Sequence, residues 1–119
     1  MMLLAMTCFV TWVIDGDTFV CRNGEHVRIA GVDAPELHGC QPGRTCTPGD
    51  GHASLHAMIR LAKGREAACA PVGRSYDRVL AFCAVDGVDL SCAMLSGGYA
   101  VRRYSFGPYV CRGLPPAAR

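Results

Sequence analysis

The sequence predicts a small α+β domain that is mainly β, with five strands and one or two helices. Three observations support this class: short β-branched or aromatic runs, pairs of turn residues between them, and one amphipathic stretch of helical length. At 119 residues the chain has room for one domain with a single core. Half of the residues are hydrophobic and 8% are aromatic, which suits a globular domain.

The first strand is predicted over residues 8–14, where apolar residues dominate. Alternation along this run places Val10, Trp12 and Ile14 on one face. The pair Asp15–Gly16 that follows suits the positive φ of a tight hairpin turn. We therefore expect the chain to reverse there and to return as a second strand.

The second strand is predicted over residues 18–21, a run rich in β-branched and aromatic side chains. Asn23–Gly24 is another hairpin signal, and the third strand follows over residues 27–32. That strand ends in the segment 33–36, because Pro35 cannot donate to a ladder and holds the residue before it in an extended conformation.

The second half of the chain is predicted to contain both helices and the last two strands. Asp50 suits the N-cap of a helix that runs to about Lys63 and ends at Gly64. The other elements predicted here are two strands and a short helix, over residues 65–72, 79–85 and 90–96.

Acidic residues occupy the places where the first strands turn or end. Asp17 follows the first turn, Asp33 ends the third strand, and Glu36 comes three residues later. Two carboxylates with backbone carbonyls suit a hard cation such as Ca²⁺, and a third carboxylate could hold or deprotonate a water. A bend at Gly31 would bring Arg28 and Asp33 to one site. The alternative is that these acids are ordinary turn and strand-terminating residues.

Eight cysteines in 119 residues indicate disulfides and an oxidising compartment, so we expect a secreted or periplasmic protein. The sequence alone does not choose among about 105 pairings. We expect Cys40 to pair with Cys46, since they bracket a Pro-Gly loop. If the domain ends early and depends on disulfides, Cys92 would pair with Cys111; the alternative is that the chain is a truncated product. Two alternatives stay open. Several cysteines could be small buried hydrophobes (Cys21, Cys69 and Cys83), or a zinc site could form from Cys40, Cys46, His52 and His56.

The net charge and the apolar N-terminal run exclude few classes of protein by themselves. The formal net charge of +2 is too small to indicate a nucleic-acid binder. Eleven of the 12 basic residues are Arg, the side chain whose planar fork matches phosphate oxygens. The apolar N-terminal run through Ile14 is too short to span a bilayer and lacks the pattern of a complete export signal, so no membrane partner is expected.

Two motifs at a compatible spacing carry a resemblance to a known family. Val-Ile-Asp-Gly-Asp-Thr at residues 13–18 and Val-Arg-Ile-Ala-Gly-Val-Asp-Ala-Pro-Glu at residues 27–36 resemble the staphylococcal nuclease (thermonuclease) family. With Tyr76-Asp77-Arg78, the similarity extends from about residue 9 to about residue 106. It implies a five-stranded OB-fold barrel with one or two flanking helices and a Ca²⁺-dependent phosphodiesterase site.

The resemblance also implies domain bounds. The nuclease domain would span residues 7–106, and residues 107–119 would form an irregular basic tail. That tail is too rich in Gly and Pro to form the C-terminal helix of the family, so we expect this helix to be absent.

Roles for individual residues follow from the same resemblance. Arg28 and Arg78 would clamp the phosphate, and Glu36 would orient or deprotonate the attacking water. The calcium ligands would be the side chains of Asp17 and Asp33 and the backbone carbonyl of Ala34. Tyr76 and Tyr104 would bind the substrate. Asp77, where the family more often has Gly, would compete with phosphate for Arg78.

The expected partner is a nucleic acid, DNA or RNA, in single-stranded or locally melted form. The expected products are strands ending in 3′-phosphates, and we expect the protein to act as a monomer. One alternative is an OB-fold module that binds nucleic acid without cutting it. A second is a disulfide-stapled interaction protein with no nucleic-acid role.

Overall fold

Eight strands and two helices form the part of the chain that a computed structural model describes, residues 5–103 and Cys111. The strands are β1 Met6–Asp15, β2 Thr18–Cys21, β3 His26–Ile29, β4 Val32–Asp33, β5 Glu66–Ser75, β6 Arg78–Val85, β7 Val88–Asp89 and β8 Val101–Arg102. The helices are α1 Gly51–Ala62 and α2 Leu90–Ser96.

Five of these strands close into a barrel. β3, β2, β1, β5 and β6 are joined in that order by antiparallel pairing. β3 then pairs in parallel with β6, with Val27 beside Val79 and Ile29 beside Ala81. In an open sheet the backbone groups along these edges of β3 and β6 would lack hydrogen-bond partners, and closure of the barrel pairs them with each other. The predicted class is confirmed: an α+β, mainly β, OB-like barrel with two helices.

The core fills the barrel interior and extends under the helices. Alternate residues of β6 are buried, as expected for a strand with one face on the core. The interior also holds Phe19 and Ile29, both fully buried. Met58 on α1 and Met94 on α2 join the same cluster, so each helix packs its apolar side against the barrel.

The helices begin and end close to the predicted residues. The Asp50 side chain accepts hydrogen bonds from the N–H groups of His52 and Ala53, which makes it the N-cap of α1. Gly64, just after this helix, has a φ of 75°, a conformation that favours glycine. α2 is capped by Asp89, which accepts from the N–H of Cys92.

β1 does not follow simple alternation. Its register against β2 shifts between Val10 and Trp12, so β1 contains a bulge there. Val10 and Val13 are buried, whereas the Trp12 side chain is 60% exposed. The prediction that Val10, Trp12 and Ile14 share one face is therefore wrong, because the bulge reverses which side chains point inward. The outward Trp12 ring instead packs under Lys63, whose Nζ lies 4.7 Å from the ring centroid.

The first hairpin turn lies one residue later than predicted. β1 runs through Asp15, so the two-residue loop before β2 is Gly16–Asp17. The predicted positive φ is also wrong, since neither residue has one. Gly16 is required for space: a Cβ there would collide with the Ser54 side chain on α1 and lie 2.9 Å from the Ala34 Cβ. This close approach seats the turn against α1 and the segment after β4.

All eight cysteines are paired. The disulfides are Cys8–Cys21, Cys40–Cys46, Cys69–Cys83 and Cys92–Cys111. Both predicted pairs are confirmed, and the alternatives of unpaired hydrophobic cysteines and of a zinc site that uses Cys40 and Cys46 are wrong. Four disulfides indicate an oxidising environment. Among the described helices, neither is long and apolar enough to cross a membrane.

Candidate functional site

One cavity of about 600 Å³ brings together most of the predicted site residues. Six of the eight line it: Asp17, Arg28, Asp33, Glu36, Tyr76 and Arg78. Ala34 is buried, and its N–H donates to Asp17 Oδ2 at 3.0 Å. Tyr104 lies outside the described residues, as does most of the predicted tail. The volume lies within the range of small-molecule and cofactor sites.

Arg28 lies between two carboxylates. Its Nη2 is 2.9 Å from Asp33 Oδ1 and 3.4 Å from Asp17 Oδ2. The predicted third strand is interrupted at Gly31, whose φ of 82° lets the chain bend between β3 and β4. The prediction that a bend here brings Arg28 and Asp33 together is confirmed. Arg28 Nη1 also donates to the Val32 carbonyl at 3.1 Å, which fixes the guanidinium to the bend.

Asp17 is held by its neighbours in a buried position. It is 6% exposed, and its Oδ1 accepts from Thr18 Oγ1 at 2.9 Å. Its Oδ2 accepts the N–H of Ala34. The residue after β4 is therefore tied to the first turn, and the carboxylate orientation is set by hydrogen bonds on both oxygens.

Asp33 connects the strand end to two later segments, the loop after Glu36 and the segment that contains Arg103. Its Oδ2 accepts from Thr47 Oγ1 at 2.6 Å and lies 3.7 Å from Arg103 Nε. Arg103 Nη2 also donates to Thr47 Oγ1 at 3.2 Å. The pairing of β8 with β4 places Arg103 here, with Val101 opposite Asp33.

Arg78 is oriented by polar groups and not by a carboxylate. Its Nη2 donates to Ser75 Oγ at 3.0 Å, and its Nη1 donates to Thr18 Oγ1 at 3.4 Å. Within the described part of the chain it forms no ion pair. No ion pair between Asp77 and Arg78 therefore forms among the described residues. The Asp77 carbonyl accepts a hydrogen bond from the Arg74 side chain.

Tyr76 occupies the tip of the hairpin between β5 and β6. Its φ is 60°, an uncommon conformation for a residue other than glycine. The side chain is 93% exposed, yet the residue lines the cavity. The ring is therefore available at the mouth of the site.

Glu36 stands in the extended segment after β4, where glycines allow close packing. A Cβ on Gly51, the first residue of α1, would collide with the Glu36 carbonyl. A Cβ on Gly49 would lie 2.9 Å from Pro35 Cγ. The Glu36 side chain is 37% exposed, and its Oε1 lies 3.8 Å from Arg44 Nη2 in the loop closed by a disulfide. Its backbone is fixed, whereas its carboxylate reaches the open cavity.

Asp15 also lines the cavity and was predicted only as a turn residue. Burial, then the negative charge of Asp17 and a hydrogen bond with its side chain, raise the pKa of Asp15 from 3.8 to a net value of about 7. The backbone N–H of Asp17 and the positive charge of Arg28 act in the opposite direction. The first turn thus places two carboxyl groups, those of Asp15 and Asp17, near the single positive charge of Arg28.

The predicted calcium ligands fit a hard cation in their chemistry. Among residues 5–103 and Cys111, no group of three or more His, Cys, Asp or Glu side chains is arranged to hold a metal ion. The predicted set contains two such side chains, Asp17 and Asp33, and a carbonyl oxygen of Ala34. Both carboxylates lie within 3.4 Å of one cationic nitrogen, Arg28 Nη2. Carboxylate and carbonyl oxygens are the ligand types that Ca²⁺ prefers. Both carboxylates already pair with this guanidinium, so the fit lies in the type of donor and not in an arranged coordination set.

Seven other residues line the cavity without a site role assigned to them from the sequence: Asp15, Arg44, Thr45, Cys46, Thr47, Ser75 and Arg103. The predicted pair of Cys40 and Cys46 could have revealed the loop residues, because this disulfide closes a loop directly after Glu36 and so holds that loop beside the site. A comparison of the chain with protein-family models gives no match, and a comparison with curated proteins gives none either.

Proposed function

We propose that this chain is a calcium-dependent nuclease, a phosphodiesterase that cuts DNA or RNA strands and leaves 3′-phosphates. One observation carries the proposal. The five charged residues assigned to catalysis and metal binding line a single cavity: Asp17, Arg28, Asp33, Glu36 and Arg78. They come from three separated motifs, and ordinary turn residues would have no reason to converge.

The two arginines supply charge where the reaction needs it. As water attacks a phosphodiester, negative charge gathers on the phosphorus oxygens, and cations already in place stabilise that state more than the ground state. Arg78 is held by Ser75 and Thr18, so little reorganisation is needed when the phosphate binds. Arg28 is 8% exposed and pairs with Asp17 and Asp33, so its charge becomes available to a phosphate when a cation takes up those two carboxylates.

Glu36 is the residue suited to act on the attacking water. Its carboxylate reaches the open cavity, while its backbone packs tightly against Gly51. A carboxylate held in this way can orient a water or accept its proton. Arg44, 3.8 Å away, provides a weak counter-charge that does not bury the group.

Asp17, Asp33 and the Ala34 carbonyl would hold Ca²⁺. The bound ion supplies positive charge to the phosphate oxygens and so acts with the two arginines. Thr18 and the Ala34 N–H hold the Asp17 carboxylate, and Thr47 holds that of Asp33. These contacts fix the ligand orientation before the ion arrives.

The substrate would be a single strand or a locally melted one. The exposed Tyr76 ring at the mouth of the cavity is available for a base to stack upon. Tyr104 remains a predicted substrate contact. Four disulfides suit a nuclease that is secreted or periplasmic. A monomer remains the expected state.

The test is cleavage of plasmid and single-stranded DNA by purified wild type, Glu36→Gln and Arg78→Ala, with Ca²⁺ or with EGTA. Arg65→Ala is the matched control, because Arg65 pairs with Asp86 on the surface and does not line the cavity. We expect calcium-dependent cutting by wild type and the control, and strong loss in the two site variants. Equal cutting by all four proteins would refute the assignment. Binding without cutting, insensitive to EGTA, would support the binding module instead.

A further inference from the structure

A row of contacts links side chains of alternating charge that line the cavity. Arg78 Nη1 lies 3.4 Å from Thr18 Oγ1, which donates to Asp17 Oδ1 at 2.9 Å. Arg28 Nη2 then bridges Asp17 and Asp33. The first two guanidinium groups of the row are therefore separated by one carboxylate.

The row continues beyond Asp33 to a third guanidinium group. Thr47 Oγ1 donates to Asp33 Oδ2, and Arg103 Nη2 donates to Thr47 Oγ1. The order of these contacts is thus Arg78, Arg28 and Arg103, with one carboxylate between neighbouring guanidinium groups. Arg103 and Arg78 stand at opposite ends of this row.

Arg103 has a fixed backbone, and its side chain makes one hydrogen bond, to Thr47, and one ion pair, with Asp33. Its N–H donates to the Gly31 carbonyl at 3.0 Å, and it directly follows β8. Its Nε is 3.7 Å from Asp33 Oδ2, which is too long for a hydrogen bond. The side chain is 36% exposed and lines the cavity. Because a guanidinium has five N–H donors, Arg103 keeps donors for a ligand.

We propose that Arg103 binds a second phosphate of the substrate strand, adjacent to the phosphate that is cut. This inference rests on the proposed nuclease function, in which Arg28 and Arg78 take the scissile phosphate. A cavity of about 600 Å³ accommodates more than one phosphate, and the two arginines contact different oxygens of Asp33, Arg28 at Oδ1 and Arg103 at Oδ2. The ligand class is a phosphodiester strand with at least two phosphates. Inorganic phosphate would engage Arg28 and Arg78 only.

The experiment measures binding to a short single-stranded DNA at several salt concentrations in the Glu36→Gln protein, which is expected not to cut it. Each phosphate contact on a single strand contributes about 0.7 to the slope of log K against log salt. Arg103→Ala in this background should flatten the slope by about 0.7, and Arg103→Lys should retain it. The matched control Arg65→Ala should leave the slope unchanged.

Two further measurements separate a phosphate contact from a structural role at Asp33. Calcium affinity, measured by calorimetry without DNA, should be unchanged in Arg103→Ala. The affinity for inorganic phosphate should also be unchanged in Arg103→Ala and should fall in Arg78→Ala. An unchanged salt slope with weaker calcium binding would overturn the proposal in favour of a positioning role. An equal loss of affinity for inorganic phosphate and for the strand would place Arg103 at the scissile phosphate and also overturn it.

The outcome also distinguishes this inference from the function on which it rests. If the Glu36→Gln protein fails to bind the strand, both proposals fall. If wild type binds but does not cut, and Arg103→Ala flattens the slope, then the nuclease assignment falls while the second-phosphate contact stands. If wild type cuts and the slope is unchanged, only the role of Arg103 is refuted.

Discussion

Thr47 Oγ1 donates a 2.6 Å hydrogen bond to Asp33 Oδ2, and this bond joins the segment after the Cys40–Cys46 disulfide to the end of β4. Thr47 is 5% exposed, so water does not readily replace the donor. The loop following Glu36 therefore controls the orientation of a predicted calcium ligand.

Thr47→Val should weaken calcium binding, because it removes this donor while nearly conserving side-chain volume. A hydrogen bond to a charged group contributes about 1.5–3 kcal/mol, so we expect roughly a 10- to 100-fold rise in the calcium dissociation constant. Isothermal calorimetry measures it without any nucleic acid. Thr11→Val, on the exposed face of β1, is the control. Equal calcium affinities for wild type and Thr47→Val would show that the bond does not orient a ligand.

Arg78→Ala should lower the rate of the chemical step while leaving the fold intact. Loss of one preorganised donor to a developing oxyanion costs about 2.7–4 kcal/mol, or about 100- to 1000-fold in kcat. Arg78→Lys should recover only part of this, because lysine lacks the planar fork that Ser75 and Thr18 hold in place. Single-turnover cleavage at saturating enzyme measures the step. Full recovery in the lysine variant would mean that only net charge matters at this position.

Local signals predicted the helix caps and the second hairpin turn, because each depends on a few adjacent residues, whereas the first hairpin turn was predicted one residue too early. Asp50 caps α1, and Gly24 takes a φ of 89° in the second hairpin. The β1 bulge was missed because side-chain alternation cannot show an extra residue, and only the pairing with β2 reveals it. Strand bounds differed for a similar reason, since β5 extends to Ser75 through pairing with β6.

Site residues that belong to short motifs could be predicted from the sequence. Site residues that are brought in by the pairing of distant segments could not. Arg28 and Asp33 are five residues apart, and Gly31 between them signalled the bend. Thr47 carries no such signal, and Arg103 is marked only as a basic residue among the aromatics of the segment 99–106. Thr47 reaches Asp33 only after the disulfide closes its loop, and Arg103 arrives through the pairing of β8 with β4.

Removal of the Cys40–Cys46 disulfide should reduce activity more than stability. This bond closes a short exposed loop, whereas Cys69–Cys83 joins two central barrel strands and is buried. Closure of a loop of about 15 residues contributes about 3 kcal/mol, so Cys69→Ser/Cys83→Ser should show the larger fall in Tm. Cys40→Ser/Cys46→Ser should instead lose cleavage and calcium affinity, because Thr47 is released. Thermal denaturation and calorimetry on both double variants decide this, and the reverse order would contradict it.

Asp15→Asn should change how stability depends on pH in calcium-free buffer with EGTA. The folded-state pKa of Asp15 is about 7, above the value of 3.8 for an unperturbed carboxyl. Folding therefore favours the protonated form, and its contribution is fully present below pH 3.8 and is lost as pH rises through about 7. Asparagine stays neutral, so the variant should gain stability relative to wild type between about pH 4 and 8. A difference in urea midpoints that does not vary with pH would refute this.

Gly51→Ala should impair cleavage through Glu36 without touching any charged group of the cavity. The new Cβ would collide with the Glu36 carbonyl, and backbone on both sides leaves little room to yield. Because the Glu36 carboxylate follows its backbone, a shift of about 1 Å misplaces the attacking water and costs about 100-fold in rate. Gly73→Ala is the matched control, since its Cβ would meet nothing within 4 Å and its φ is not positive. The measurements are kcat, strand binding and Tm for both variants. We expect Gly51→Ala to lose kcat with strand binding retained, and a parallel loss of binding would instead indicate general damage to the barrel rim.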